Sequence, residues 1–336
     1  MARNRKSLKY IAQQVLEEKL RIGESKHQAK RDGSYKNYIY SFSTFLNYLK
    51  HSRYFLDYCR KESEKEGKRL RTLEDCKPYV EKYIKYEIDR NLSPYTIKLK
   101  LASLNKLYSC EFDIKTPSRY RKDIKRSRYA VDMDRHFSEK NNKDLICFAK
   151  ATGLRRMEIS AVRKEDITFV DGNAYVHVRR GKGGRVRTNP IITSTQEEWE
   201  AILNLYNNSN GGKLFRKISG SADIHHFRAI YCRRVYEQNF HPNFRNERIV
   251  MIKNNIIGTY ETKNGRKSIP KLKSLCKANG ISMDIPGLKD LSGAYYCRKD
   301  RKGEAFSRYA LAKCSEALGH GSFNRVNVVA EHYLYT

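Results

Sequence analysis

The chain has 336 residues, with 68 Lys and Arg against 37 Asp and Glu, for a formal net charge of +31. This excess is larger than solubility requires, and it favours a polyanionic partner because each phosphate neutralised by Lys or Arg releases a condensed counterion. No stretch approaches the length of an apolar membrane span, so the sequence predicts no membrane association. The N-terminus is basic, but Gln13, Gln14, Glu17 and Glu18 follow it, which excludes a signal peptide there.

The eight cysteines are widely spaced and form no C-x-x-C pair. This pattern favours free structural thiols in a reducing compartment over a disulfide framework or a zinc site. The Asp and Glu residues are scattered among Lys, and no Walker-type phosphate loop occurs. The sequence therefore predicts an intracellular protein without metal or other cofactor.

The first third of the chain is predicted to be helical. Residues 1–27 carry one amphipathic helix, interpreted as an N-terminal arm or partner helix. Residues 28–113 form a predicted helical domain, whose first long helix has Ser34 as its expected N-cap. Another helix follows Pro78, and the last is expected to begin at Ser93 and Pro94, a capping residue followed by proline.

Residues 114–135 lose the helical periodicity and are rich in Lys, Arg and Tyr. A basic segment of this kind between two folded regions is most simply a linker. The linker thus separates the helical domain from a second domain over residues 136–336.

The second domain is predicted to be mixed. Ser138 would cap a helix that ends at Gly153, and a new helix would carry Arg155. Thr195 and Glu198 form a capping box for a later helix. The fold class is therefore mainly α with a small antiparallel sheet (α+β), and the sheet comprises three short strands at residues 167–170, 174–179 and 185–191. Helices dominate the remainder, except for a loop-rich basic stretch from about residue 238 to residue 286.

Three fragments of this domain contain residues suited to phosphate chemistry. The first is Ala-Thr-Gly-Leu-Arg ending at Arg155, the second is His225-x-x-Arg228, and the third is Leu-Gly-His ending at His320, followed by Tyr333. A Gly-Lys-Gly turn centred on Lys182 lies between the first two. Their order and spacing resemble the catalytic set of the tyrosine recombinase (phage-integrase) family, and are similar to integrases of mobile elements.

This resemblance covers roughly the last 200 residues well and the first 130 loosely. It implies a helical, SAM-like core-binding domain and an α/β catalytic domain that clamp double-stranded DNA. The implied reaction is site-specific recombination through a 3′-phosphotyrosine and a Holliday junction, in a tetrameric synapse with accessory DNA-bending proteins. The phosphotyrosine conserves the energy of the phosphodiester, so no cofactor is implied. Bacterial or phage origin, a cytoplasmic location and integration or excision of a mobile element are further expectations.

The resemblance also implies a role for each catalytic residue. Arg155 and Arg228 would hold the non-bridging phosphate oxygens, a task that suits the permanently charged, planar guanidinium. Lys182 would be the general acid that protonates the departing 5′ oxygen. By the same resemblance, His225 would serve in proton transfer or phosphate contact. His320 would form a hydrogen bond with the phosphate, and Tyr333 would be the nucleophile.

Several positions have a rival. Arg156 is adjacent to Arg155, but successive residues of a helix point about 100° apart, so only one of the two can face the site. His226 is a lesser candidate beside His225. Most relatives place the nucleophile nine residues after the histidine of the third fragment, which here is Val329. Tyr333 lies four residues further on, and residues 321–324 would be absorbed in a loop. Tyr335 remains its rival.

The sequence departs from the minimal pattern in two ways. The interval between Arg228 and His320 is long, so residues 238–305 are expected to form an elaborated segment. The sequence given has no helix after Tyr333, where many relatives use one to bind the neighbouring subunit. Two rival functions remain open: a DNA-relaxing enzyme similar to type IB topoisomerases, and a non-catalytic DNA-binding protein derived from a recombinase.

Overall fold

A computed structural model describes residues 6–120, 123, 137–182, 184–245, 247–252, 255–261, 288–290, 293–298, 301–320 and 325–334. Contacts within the chain divide it into two compact units, Met1–Lys125 and Arg126–Thr336. The division falls inside the predicted linker, residues 114–135, of which residues 121–122 and 124–135 lie outside the described residues. Each unit is described by itself.

The described part of the first unit is helical. Its α-helices are α1 Leu8–Glu18, α2 Lys26–Arg31, α3 Phe42–Lys65, α4 Leu73–Cys76, α5 Val80–Asp89 and α6 Pro94–Tyr108. The predicted start of α6 is confirmed, because Pro94 is its first residue and the Ser93 hydroxyl accepts a hydrogen bond from the Tyr95 N–H at 3.4 Å.

The first long helix begins later than predicted. Ser34 opens a short 3-10 turn, whereas the N-cap of α3 is Ser41, whose hydroxyl accepts a hydrogen bond from the Thr44 N–H at 3.2 Å. Ile39, expected on the helix, precedes it and pairs with Leu20 in an isolated β-bridge. The prediction was wrong here because two serines seven residues apart precede the same apolar pattern, and only tertiary pairing of Ile39 selects the second.

Helix α1, predicted as an arm or partner helix, packs into the core of the first unit. Its Ala12 and Leu16 are fully buried, in one apolar cluster with Phe55 and Leu104. Within the described residues this helix is therefore part of the bundle, since burial of its apolar stripe against the other helices stabilises it.

The second unit combines helices with small antiparallel sheets, which confirms the predicted α+β class. Its helices are α7 Lys143–Thr152, α8 Arg156–Ile159, α9 Gln196–Asn207, α10 Ile224–Gln238, α11 Arg308–Ala317 and α12 Val326–His332. The predicted three-stranded sheet is present, in the order β1 Ile167–Val170, β2 Asn173–Val178 and β3 Arg187–Pro190. Its two strand pairs are antiparallel, as predicted.

The segment between α10 and α11 contains strands that the sequence analysis missed. A second sheet has the order β5-β4-β6, formed by β4 Glu247–Ile252, β5 Asn255–Glu261 and β6 Leu288–Asp290. A further antiparallel pair joins β7 Ala294–Tyr296 to β8 Ala305–Ser307. The expectation of a loop-rich stretch from about residue 238 to residue 286 is wrong for β4 and β5, whose short apolar runs interrupted by Lys and Asn were interpreted as loop. Strands β6, β7 and β8 lie in the part of the chain where helices were expected to dominate.

Helix α10 connects the two apolar clusters of this unit. Phe227 belongs to the cluster formed with α7, α9 and the first sheet, whereas Tyr231 belongs to the cluster formed with α11 and α12. Arg228, which lies between these two positions, is thereby fixed where the two clusters meet. No helix among the described residues is long and apolar enough to span a bilayer. Cys59, Cys76, Cys110, Cys147, Cys232 and Cys314 are free thiols, and Cys276 lies outside the described ranges.

Candidate active site

The first fragment forms a sharp turn that places Arg155. Gly153 ends α7 in the left-handed conformation, with φ of 61°. A Cβ atom at this position would overlap the ring of Tyr231, so a larger residue is excluded by packing as well as by backbone conformation. Arg155 follows in an extended conformation and is the N-cap of α8. Arg155 was predicted inside the helix, but it is the residue before the first helical turn.

Glu158 fixes the direction of the Arg155 side chain. One carboxylate oxygen accepts the Arg155 backbone N–H at 2.8 Å, and the other accepts its Nη1 at 2.9 Å. A second guanidinium nitrogen, Nη2, donates to the carbonyl oxygen of Gly319 in the third fragment at 3.4 Å. Glu158 thus binds Arg155 through both its backbone and its side chain.

Arg156 has a different position. Its guanidinium donates to the carbonyl oxygens of Ser219, Gly220 and Ala222, with distances of 3.2 Å to Gly220 and 2.6 Å to Ala222. These bonds anchor the segment that leads into α10. Of the two neighbouring arginines, only Arg155 points toward the third fragment.

Arg228 is buried, with a relative exposure of 1%. Its Nη1 donates to the carbonyl oxygen of Gly153, and its Nη2 donates to that of Leu318 at 3.0 Å. Burial lowers the pKa of the Arg228 guanidinium, and the neighbouring Tyr333 opposes this effect. The guanidinium carbon lies 5.8 Å from the centre of the Tyr333 ring. One side chain thus joins all three fragments.

His320 follows α11 and is partly buried. Its backbone N–H donates to the carbonyl oxygen of Ser315 at 3.0 Å, while its Nε2 is buried without a hydrogen-bond partner among the described atoms. Burial, together with the positive charges of Arg228 and Arg155, lowers the pKa of His320 to about 4. The imidazole is therefore neutral at neutral pH.

Tyr333 immediately follows α12 and packs against the second apolar cluster. Its ring centre lies 5.6 Å from that of His320, in an edge-on arrangement. Val329, the position nine residues after His320, is fully buried in the core. The structure therefore brings Tyr333 to the other fragments and places Val329 away from solvent. Tyr335 and residues 321–324 lie outside the described residues.

The two other predicted residues, Lys182 and His225, lie at exposed positions. Lys182 is exposed in the turn between β2 and β3, beside Gly183, which is outside the described residues. His225 is exposed on the first turn of α10, three residues before Arg228. His226 is partly buried, and its backbone N–H donates to the Asp223 carboxylate at 3.1 Å. The structure thus unites four of the six predicted residues: Arg155, Arg228, His320 and Tyr333.

Arg187 and Asn189 on β3 were missed by the sequence analysis. Arg187 donates to both carboxylate oxygens of Glu158, at 3.2 Å from Nη1 and 2.8 Å from Nη2. The Asn189 amide donates to the carbonyl oxygens of Thr152 and Ala317 at 3.0 and 2.7 Å. Strand alternation places the two residues on one face, but their distant partners cannot be identified from that pattern.

The group is electrostatically suited to an anion. Burial alone would raise the pKa of Glu158, but hydrogen bonds and charge from Arg187, with those of Arg155, lower it to about 2. One ionised carboxylate thus lies among three arginines, Arg155, Arg187 and Arg228, which leaves an excess of positive charge next to the Tyr333 hydroxyl. In the described ranges, no three His, Cys, Asp or Glu side chains are placed to hold a metal ion.

No family model and no curated protein matches this sequence. Solved structures do match. The Tn1549 transposon integrase (residues 82–397) in complex with circular intermediate DNA is 16% identical, with a TM-score of 0.36, over 69% of this chain and 89% of that one. XerH site-specific recombinase bound to palindromic difH substrate is 14% identical, with a TM-score of 0.34, over 91% and 82%. XerA recombinase is 16% identical, with a TM-score of 0.21, over 64% and 84%.

The chain is thus similar to these solved recombinases and integrases at low sequence identity and low TM-score.

Proposed function

We propose that this chain is a tyrosine-type site-specific DNA recombinase, which cuts and rejoins DNA through a 3′-phosphotyrosine intermediate. The observation that carries the proposal is the convergence of Arg155, Arg228, His320 and Tyr333 from three separate parts of the sequence. A site that combines a hydroxyl, several cations and a neutral imidazole contains the groups required for nucleophilic attack on a phosphodiester.

In the proposed reaction the Tyr333 oxygen attacks phosphorus and displaces the 5′ oxygen. Arg155 and Arg228 hold the non-bridging oxygens and stabilise the negative charge that develops on them. His320 donates a hydrogen bond to the same phosphate, and His225 takes part in proton transfer. Rejoining reverses these steps on another strand and needs no external energy, because the phosphotyrosine retains that of the phosphodiester.

Lys182 is proposed as the general acid for the 5′ oxygen. It is exposed in a turn that is closed by a hydrogen bond from the Gly184 N–H to the Gly181 carbonyl, at 2.9 Å. Gly184 adopts a φ of 77°, which glycine tolerates better than other residues. The role requires this turn to approach the scissile phosphate when DNA is bound.

The partner proposed for the chain is double-stranded DNA that carries specific recombination sites. Residues 28–113 would form the core-binding domain, 114–135 the basic linker and 136–336 the catalytic domain, with residues 238–305 as its elaborated segment. A homotetrameric synapse, accessory DNA-bending proteins, a cytoplasmic location with the DNA, and integration or excision of a mobile element complete the proposal.

Covalent trapping tests this function. Duplexes tiled across the DNA that flanks the gene, each with a nick near a candidate cleavage position, would be incubated with the full chain. We expect an SDS-resistant protein–DNA adduct that maps to Tyr333. It should disappear in Tyr333→Phe, because no other group can supply the aligned oxygen, while DNA binding is retained. Tyr335→Phe is the matched control and should still form the adduct.

The outcomes separate the rival functions. Joining of two different duplexes indicates a recombinase, whereas relaxation of a supercoiled plasmid without joining indicates a topoisomerase-like enzyme. Binding without an adduct on any duplex would contradict catalysis and favour the non-catalytic DNA-binding protein. An adduct on Tyr335 would show that the nucleophile is misassigned.

A further inference from the structure

Arg187 lies where the first fragment, the Lys182 turn and the third fragment meet. We propose that Arg187 is a positioning residue that neutralises Glu158, so that the charge of Arg155 remains available to the DNA phosphate. This inference rests on the proposed function, and it concerns a residue outside the predicted catalytic set.

One buried carboxylate is shared by two arginines. The Glu158 side chain is only 3% exposed, and those of Arg187 and Arg155 are 11% and 22% exposed. Arg187 contacts both carboxylate oxygens, whereas the Arg155 guanidinium contacts one of them through Nη1. Arg187 therefore makes more of the ion-pair contacts with Glu158. The more exposed Arg155 keeps guanidinium N–H groups that can bind another anion.

Loss of Arg187 would shift the ion pairing of Glu158 from Arg187 to Arg155. Glu158 would have Arg155 as its remaining arginine partner, and a buried, unneutralised carboxylate would bind it more strongly because attraction increases as solvent is excluded. Arg155 would then be held in an internal ion pair, and much of its charge would be cancelled. The site would lose positive charge even though both predicted phosphate-binding arginines were still present.

The guanidinium of Arg187 also fills a specific space. A Cβ atom built on Gly319 would lie 2.7 Å from its Nη1, and one built on Gly181 would lie 2.9 Å from the same atom. Arg187 thus separates the start of the Lys182 turn from the residue before His320. A planar guanidinium suits this position, whereas a lysine ammonium could restore the charge but not the two-oxygen contact.

The test combines single and paired substitutions, checked for folding by thermal unfolding. Arg187→Gln should raise the pKa of Glu158, measured by carbon-13 NMR of labelled glutamate in the DNA-free protein. Arg185→Gln, an exposed position on the same hairpin, removes the same charge and should leave that pKa unchanged. On a nicked duplex that the wild type cleaves, Arg187→Gln should slow adduct formation on the order of 10²-fold, as expected for a displaced catalytic group.

The paired substitution distinguishes neutralisation from simple support of the fold. Adding Glu158→Gln to Arg187→Gln removes the carboxylate that would capture Arg155, so part of the lost rate should return. Arg187→Lys should fall between the wild type and Arg187→Gln. A double variant as slow as Arg187→Gln, or an unchanged Glu158 pKa, would overturn the inference. Absence of any wild-type adduct would instead reject the proposed function, and the Glu158 pKa would still decide whether Arg187 neutralises that carboxylate.

Discussion

Arg228 and Arg155 have different surroundings, although both are proposed to bind the phosphate. Arg228 is buried and donates to the carbonyl oxygens of Gly153 and Leu318, whereas Arg155 is partly exposed. Arg228→Ala should therefore lower the free energy of unfolding by about 2–4 kcal/mol, because two buried carbonyls lose a charged donor. Arg155→Ala should change it much less.

Both substitutions should nevertheless reduce cleavage by on the order of 10²- to 10³-fold or more, since each removes one of the two donors proposed for the same phosphate. Adduct formation on a nicked duplex and chemical denaturation would measure the two effects. Cleavage by Arg155→Ala close to the wild-type rate would reject its assignment. Equal stability losses in the two variants would contradict the structural role of Arg228.

Lys182 can be tested through the leaving group. Lys182→Ala should cleave normal DNA poorly, because the 5′ oxygen then departs without a proton. A 5′-bridging phosphorothiolate has a sulfur that leaves without protonation, so this substrate should restore cleavage by the variant. The same substrate should not restore cleavage by Arg155→Ala, whose defect is in charge stabilisation. Failure of the rescue would remove the general-acid role from Lys182.

The depressed pKa of His320 predicts a pH-dependent stability. The imidazole is neutral in the folded protein down to about pH 4, whereas in the unfolded chain it binds a proton below about 6.5. The unfolded state therefore holds more protons between these values, and the free energy of unfolding should decrease as pH falls through this window. Denaturation at pH 7 and pH 5 should show a smaller decrease in His320→Gln.

His51 in the first unit has a pKa lowered to about 4 by burial and by Lys100, so it contributes in the same direction. Its replacement, His51→Gln, separates the two contributions. Glu158 does not affect the comparison between pH 7 and pH 5. Its pKa is about 2, so its contribution to the free energy of unfolding is lost only as the pH falls below its ordinary pKa of 4.5. An identical pH dependence in the wild type and His320→Gln would contradict the prediction.

At the scale of elements, the junction between α7 and α8 depends on Gly153. Gly153→Ala must adopt a positive φ and also place its Cβ against the ring of Tyr231. Gly172→Ala in the turn between β1 and β2 also requires a positive φ, 74°, but has open space around it. We expect about 1 kcal/mol of destabilisation at Gly172 from backbone conformation, and about 1–3 kcal/mol more at Gly153 from overpacking. Equal losses in chemical denaturation would show that the Tyr231 contact is unimportant.

The elements that the sequence predicted correctly are those with a local cause. The start of α6 follows from Ser93 and Pro94, and the end of α7 follows from Gly153, since both signals act on adjacent backbone. The N-cap of α3 was misplaced because Ser34 and Ser41 offer the same local signal. Strands β4 and β5 were missed because their pairing is not encoded in either strand alone.

The candidate site shows the same limit. The motifs predicted Arg155, Arg228, His320 and Tyr333, which the fold brings together. Arg187 could not be predicted, because its importance comes from contact with Glu158, 29 positions away, and with the distant third fragment. Short motifs identify residues that share a chemistry, whereas a residue that acts by packing between motifs becomes visible only in three dimensions.

At the scale of the molecule, each unit has its own apolar core, and the net charge of +31 is distributed over both. Basic side chains also lie over tyrosine rings at the surface of the first unit, for example Arg90 over Tyr86 and Arg119 over Tyr95. Such pairs keep cations at the surface beside flat apolar groups. Binding of DNA is therefore expected to depend on many phosphate contacts spread over the protein.

This distribution predicts a steep dependence of DNA affinity on salt. If about six or more phosphates are neutralised, the binding constant should fall by roughly a thousandfold or more between about 50 and 200 mM salt, because bound counterions are released on association. Fluorescence anisotropy with a labelled duplex would measure the slope. Tyr333→Phe is the matched control and should keep the wild-type slope, since it removes no charge.

Lys115→Ala, at an exposed position in the basic linker, should reduce the slope by about one if Lys115 contacts a phosphate. A binding constant nearly independent of salt would contradict phosphate-dominated recognition, because phosphate contacts release counterions and therefore weaken as salt rises.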